Sequence, residues 1–290
     1  MTDWWTSLFS FENYGELVVL LHNSILAGAI LGVVGGLIGV FVVARDMPFA
    51  VHGISELSFA GGSAGLLFGI GVIPGALAGS ILAALLIGLL GTRARHRNSI
   101  TAVIMPFGLG LGILCLSLYS GRSSNKFGLL TGQIVAVDDP QIGALAVISV
   151  IVIAGLLIIW RPLMFASVDA DVAAARGVPT RTLSLIFMLL LGLAAAVSVQ
   201  IVGALLVLSL LVTPAAAALR VSSSPILVPI LSVCFAVFST VGGILLALGG
   251  SIPISPYVTT ISFAIWVVCT LIARARRRAE TARVAEPVAA

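Results

Sequence analysis

His52 and Glu56 stand four positions apart in the stretch MPFAVHGISELSFAG (47–61), between two long apolar runs. On a helix, positions i and i+4 share one face, so the pair could offer a cation one imidazole nitrogen and one or two carboxylate oxygens. Ionisable groups at membrane depth are costly and mark paths for ions or protons. A second reading stands beside this one: a His–Glu pair just inside a cytoplasmic interface, near Arg45 and Asp46, would need no such role.

The elements that must position the pair are membrane helices. The 290 residues are 60% hydrophobic and 9% charged, with mean hydropathy +1.21, whereas soluble domains are about 25% charged. Several apolar stretches approach the ~20 residues that cross a ~30 Å hydrocarbon core as a helix, so the fold class is all-α, a polytopic membrane bundle and not a barrel. Residues 1–16 carry acids and aromatics where a signal peptide would have a basic start and an apolar run, so they read as an extracytoplasmic, interfacial N-terminus anchored by Trp4, Trp5 and Phe9. Cys115, Cys234 and Cys269 have no paired spacing and read as small buried residues.

Nine crossings are expected, near 17–43, 56–73, 75–91, 100–119, 141–160, 183–199, 202–219, 226–248 and 257–273, within a transmembrane domain spanning 17–273. The arginine clusters RARHR (93–97) and RARRR (274–278) then lie in the cytoplasm, with the N-terminus outside. Orientation accounts for these charges without nucleic acid. The tail 274–290 reads as basic, cytoplasmic and disordered. FGLLTGQIVAV (127–137) is too short to span and too apolar for a plain linker, which suits a half-inserted or surface-lying helix. Glycines recur every four residues at 28, 32 and 36, at 61, 65 and 69, and at 75 and 79, giving each helix a small-residue face for close packing in lipid.

Several enzymatic readings fail. Lys126 is the sole lysine and no phosphate-binding G-x-x-x-x-G-K-[ST] occurs, so any ATP is handled by another chain. Neither G-x-S-x-G nor H-E-x-x-H is present. SVDADVAAARGVPTRTLSL (167–185) reads as a short cytoplasmic helix, with Asp169 near its start and Gly177 as its stop, suited to docking a partner or to serving as a capped connector. Pro214 lies inside VSVQIVGALLVLSLLVTPAAAALR (197–220), where it favours a bend that could form part of a gate. Asp138 and Asp139 precede Pro140; Asp139 as N-cap with Pro140 at N1 is one account, and docking of an extracytoplasmic partner or an acidic entrance for cations is another.

Taken in order, these stretches resemble the integral-membrane permeases of bacterial ABC importers for zinc, manganese and iron(II), over roughly residues 20–270. VGALLVLSLLVTPAAAALR is similar to that family's V-G-x-L-L-V-x-x-L-L-x-x-P-A-A-x-A segment, with Gly203 and Pro214 on the pathway or gate helix. VDADVAAARGV resembles its D-P-E-x-A-x-x-x-G coupling helix, which fits a cleft on the ATPase. Asp169, Asp171, Ala173 and Gly177 match, and Ala170 stands where proline is common. GLLTGQIVAVDD resembles a glycine-centred element before the fifth crossing, with Gly132 at the glycine.

The resemblance also carries a departure. The family's G-D-A-x-S-H-A-x-L-P-G, aligned on Ser55 and Gly61, places its metal-path Asp and His on His52 and Glu56, so acid and imidazole have exchanged places. Ala60 replaces a proline, and Asn98 stands where another acid is expected. The resemblance implies a homodimer in the bacterial plasma membrane, an ATPase subunit on each coupling loop and an extracytoplasmic metal-binding protein. The cargo would be a divalent metal passed along by His52, Glu56 and Asn98, with no permanently bound cofactor and no bond-breaking chemistry in this chain. The competing reading is a secondary transporter or channel driven by an ion gradient. A weak preference for zinc rests on nitrogen and oxygen ligands that also suit manganese and iron.

Overall fold

Apolar runs form the helices, and residues such as Gly71, Asp138, Asp169, Gly177 and Gly203 mark where the chain turns. The computed structural model describes residues 14–91, 94–121, 137–204, 206–248 and 254–285. Its helices are α1 (Tyr14–Leu20), α2 (His22–Ala44), α3 (Pro48–Leu67), α4 (Val72–Leu90), α5 (Ala94–Leu118), α6 (Asp139–Val168), α7 (Ala170–Ala175), α8 (Thr180–Val202), α9 (Val207–Leu211), α10 (Thr213–Val221), α11 (Leu227–Ala247) and α12 (Ile254–Ala285). Among the described residues no strand occurs. Seven helices are long and apolar enough to cross a membrane: α2, α4, α5 from His96, α6, α8, α11 and α12 as far as Ala279. The expected count of nine is therefore approximate, with α3 and the α9–α10 pair accounting for the other two segments.

Both of those segments differ from expectation. The crossing expected at 56–73 begins at Pro48, so His52, assigned by sequence to a cytoplasmic stretch, lies inside α3. The reason is local. After α2, Met47 N–H bonds Val42 O at 2.8 Å and Asp46 N–H bonds Val43 O at 3.2 Å, with Asp46 at φ 53°. This left-handed cap turns the chain, and Pro48 opens α3 with its φ already fixed. The segment expected at 202–219 is not one helix. Gly203 (φ 84°) ends α8, and the short apolar stretch Val207–Val221 follows, bent at Val212 ahead of Pro214. At 1.5 Å per residue it is only about 22 Å long.

The core gathers around an aromatic node. Phe41 of α2 meets Trp160 of α6 edge-on at 4.8 Å between centroids and Phe187 of α8 at 6.0 Å, tying three helices with contacts beyond area burial. Glycines set the other approaches. Gly32 and Gly36 lie against α11, where an added Cβ would meet the Cα atoms of Val237 at 2.8 Å and Val233 at 2.6 Å. Ser232 Oγ donates to Gly36 O (2.7 Å) and Thr240 Oγ1 to Gly28 O (2.9 Å) across the same seam.

The third glycine of the 61/65/69 series does not share its face. Gly69 (φ 72°) is the left-handed residue after α3, where Ile70 N–H closes on Gly65 O at 3.0 Å. At the other end of the chain, α12 runs to Ala285, so residues 274–285 are helical where disorder was expected. Residues 1–13, including Trp4, Trp5 and Phe9, and residues 122–136, including Lys126 and Gly132, lie outside the described residues.

Candidate metal path

α3 is held from two sides. On one side Ser58 Oγ donates to Ala76 O of α4 at 3.1 Å, and an added Cβ at Gly61, Gly75 or Gly79 would fall on the facing helix's backbone carbonyl. On the other side α5 runs parallel to α3. Thr101 faces Gly53, and an added Cβ at Gly108 would sit 3.0 Å from the backbone carbonyl carbon of Glu56. Within α5, Pro106 removes the N–H that would otherwise bond the carbonyl one turn earlier. These contacts fix the rotation of α3 about its axis, and so the direction of its His–Glu face.

His52 Nε2 and Glu56 Oε1 are 3.7 Å apart, with side-chain exposures of 26% and 3%. That separation exceeds a normal hydrogen bond. His52 Nδ1 and Glu56 Oε2 are both buried without a partner. Buried polar atoms are normally satisfied, because an unpaired one costs free energy. The pair therefore keeps unused nitrogen and oxygen donors on one helix face, a set that fits a borderline divalent cation. Among the described residues no three His, Cys, Asp or Glu side chains cluster as a metal site. A cation at the pair would meet only a partial shell of such side chains among the described residues.

The other residues singled out in the sequence fall elsewhere. Asn98 is on α5, one turn before Thr101; its Oδ1 is buried and makes no hydrogen bond, so it is not joined to the pair through that atom. Asp169 caps α7, accepting from Asp171 N–H (3.0 Å) and Val172 N–H (2.9 Å). Asp171 is exposed in the first turn and Ala173 is fully buried. Gly177 (φ 83°) ends α7, with Val178 N–H on Ala173 O and Gly177 N–H on Ala174 O, both 3.0 Å. This is a short helix closed at both ends and presented to solvent.

The aspartates before Pro140 are shifted by one from expectation. Asp138, not Asp139, is the N-cap of α6, and its N–H donates to Gln141 Oε1 at 3.2 Å. Asp139 opens the helix, and its Oδ1 accepts from Asn23 Nδ2 at 2.8 Å, joining α6 to the start of α2. Pro140 accordingly sits at N2. Both aspartates are exposed.

Sequence reasoning missed a second polar group. Arg45 donates through Nη1 to Ser167 Oγ (3.4 Å) and through Nη2 to Ser184 Oγ, while Arg97 Nη2 reaches Arg45 O and Asp46 O, both at 3.1 Å. No spacing in the chain relates positions 45, 97, 167 and 184. Their arginines read only as orientation signals.

Comparison with known proteins agrees with this architecture. Over 260 residues the chain is 26% identical to the manganese import system permease protein ScaB of Streptococcus parasanguinis, covering 89% of this chain and 92% of the relative. It is 31% identical over 200 residues to the manganese transport system membrane protein MntC of Listeria innocua, covering 68% and 71%. Among solved structures it matches PsaBC from Streptococcus pneumoniae in complex with Fab, with TM-score 0.80 and 23% identity over 89% of this chain and 95% of that one. An inward-facing metal-chelate type ABC transporter matches with TM-score 0.67 and 19% identity, covering 85% of each. The model of the ABC 3 transport family matches residues 18–273, nearly the whole described bundle, and the chain belongs to that family.

Proposed function

We propose that this chain is the permease subunit of an ATP-driven importer that passes a divalent transition metal, manganese first, across the plasma membrane. The observation that carries the reading is the His52–Glu56 pair, whose Nδ1 and Oε2 are buried without partners in a helix seated by glycine contacts on both sides. Relatives named for manganese transport favour that metal over the zinc suggested by ligand chemistry alone. Two copies would enclose the path, with Asn98 a further oxygen donor along it. The capped helix α7, through Asp169, Asp171, Ala173 and Gly177, would dock a separate ATPase on each copy. Gly203 and Pro214, where the chain breaks and bends, would flank the moving helices. An extracytoplasmic metal-binding protein would deliver the ion near Asp138 and Asp139.

In this scheme the protein's work is selection and alternate access. One imidazole and one carboxylate displace part of a hydration shell without completing a new one, so the ion can leave as well as enter. Metal accumulation measured in cells lacking the chain, grown under separate manganese, zinc and iron limitation, tests the cargo. A manganese deficit restored by the intact gene supports the reading, and unchanged content of all three metals overturns it. Uptake into vesicles that persists without ATP hydrolysis would replace the importer with a gradient-driven carrier.

A further inference from the structure

A cavity of about 420 Å³ lies at the end of the bundle where α7 sits, and three arginines line it: Arg45 before α3, Arg97 on α5 and Arg181 on α8. Ala170, the first residue of α7, forms part of its wall, with Thr180 and Ser184 beside it. The two inner guanidiniums are satisfied only in part. Arg45 bonds neutral serine hydroxyls and Arg97 bonds backbone carbonyls, while the Nε atoms of both are buried without a partner.

Among the described residues no acid balances them at contact distance. The exposed Asp46 carboxylate acts on Arg97 but forms no ion pair with it. Asp169 spends its carboxylate capping α7. Among the described residues, Arg45, Arg97 and Arg181 form no ion pair with an acid. Clustering like charges with half-buried stems is costly, since each loses hydration and repels the next. Burial first, and the Arg97 charge second, push the Arg45 guanidinium's pKa down. Orientation alone would place arginines in open water, not around one cavity.

The cavity also meets the start of α8. Thr180 N–H bonds Val178 O and Leu183 N–H bonds Pro179 O, and the N–H groups of Arg181 and Thr182 have no helical carbonyl to reach. A helix N-terminus with forked guanidiniums beside it is matched by the tetrahedral phosphate oxyanion, whether the singly charged phosphodiester of a lipid headgroup or the more highly charged free phosphate. Basic pockets between membrane helices take phosphate headgroups in the same way.

We propose that this cavity binds a phosphate group, either an anionic lipid headgroup or free phosphate, held by Arg45, Arg97 and Arg181. Bound there, it bridges the α2–α3 turn, α5 and α8, the frame around the start of α7. The site is separate from His52 and Glu56 and does not depend on metal transport.

The test uses the full chain in nanodiscs. In phosphatidylcholine discs, inorganic phosphate should raise the unfolding temperature saturably above chloride at equal ionic strength. In mixed discs, native mass spectrometry should find phosphatidylglycerol retained in preference to phosphatidylcholine. A response in the first arm alone identifies free phosphate, and a response in the second alone identifies the headgroup. Arg181 is exposed at the rim, so Arg181→Gln should fold normally and weaken the response about tenfold, the loss of one charge-assisted hydrogen bond. Arg176→Gln, on the exposed cap of α7, should leave it unchanged. No response in either arm, or equal losses in the two variants, overturns the proposal.

Discussion

Gly61 of α3 and Gly75 of α4 lie so close that a Cβ added to either would fall on the other's carbonyl oxygen. The contact is backbone on backbone, with no flexible side chain to give way. Lipid competes for every apolar side chain, so such approach becomes a main source of helix–helix packing energy. It also fixes the register of α3, two turns beyond His52 and just past Glu56. Gly61→Val should therefore destabilise the bundle by about 1–3 kcal/mol, as overpacking does. Gly143→Ala, on the open face of α6 with nothing within 4 Å, should be neutral or slightly stabilising. Reversible unfolding in detergent micelles checks both, and equal stability of the two variants would remove the seam from the account.

The seam between α2 and α11 separates two contributions that usually occur together. Thr240 Oγ1 bonds Gly28 O, but it also bonds Ala236 O of its own helix at 2.9 Å, so its cross-helix bond has an alternative. Thr240→Val should cost about 0.6 kcal/mol, the average for a hydroxyl between membrane helices. Gly36→Ala, whose new methyl would meet Val233 Cα at 2.6 Å, should cost several times more. A larger loss from the threonine change would make hydrogen bonding the dominant cement.

At the proposed metal path the two single changes remove one candidate donor each. Glu56→Gln keeps size and shape, and His52→Ala removes the nitrogen. Each should lower metal uptake by at least about tenfold, the range for weakened metal coordination, while assembly, read by co-purification of the ATPase, stays intact. The exchanged double variant, His52→Glu with Glu56→His, tests the stronger idea that composition of the face matters more than order. It should recover a substantial part of the uptake lost in either single variant. Full activity in either single variant would place the cation elsewhere.

Much of this fold is legible in the amino-acid sequence. Hydropathy located seven long helices because each is nearly uniform in composition, and Asp169 and Gly177 delimited α7 because an oxygen cap and a left-handed stop are local chemistry. The start of α3 was not legible. Its first turns carry His52, Ser55 and Glu56, which lower a hydropathy average although Ser55 and Glu56 face protein and not water. The break at Gly203 was hidden for the opposite reason, since the residues around it are as apolar as any helix. The arginine cavity was invisible because residues 45, 97 and 181 meet only through tertiary packing. Asn98 is suggested by the family resemblance alone, and its buried Oδ1 makes no hydrogen bond.

Gly177 allows the proposed docking role of α7 to be separated from its folding. At φ 83° most L residues are strained, whereas asparagine tolerates the left-handed region. Space is not the obstacle, because nothing lies within 4 Å of an added Cβ. Gly177→Asn should therefore keep α7 formed and retain the ATPase. Gly177→Arg adds both strain and a long cation on the presented surface and should weaken association. Asp171→Lys completes the set, reversing a first-turn charge at a helix-terminus cost of only about 0.3–1 kcal/mol. Co-purification yield of the ATPase against each variant is the measurement. If Gly177→Asn fails as badly as Gly177→Arg, the glycine serves the turn and not the interface. If all three variants retain the ATPase normally, α7 is an ordinary connector and docking lies elsewhere on the chain.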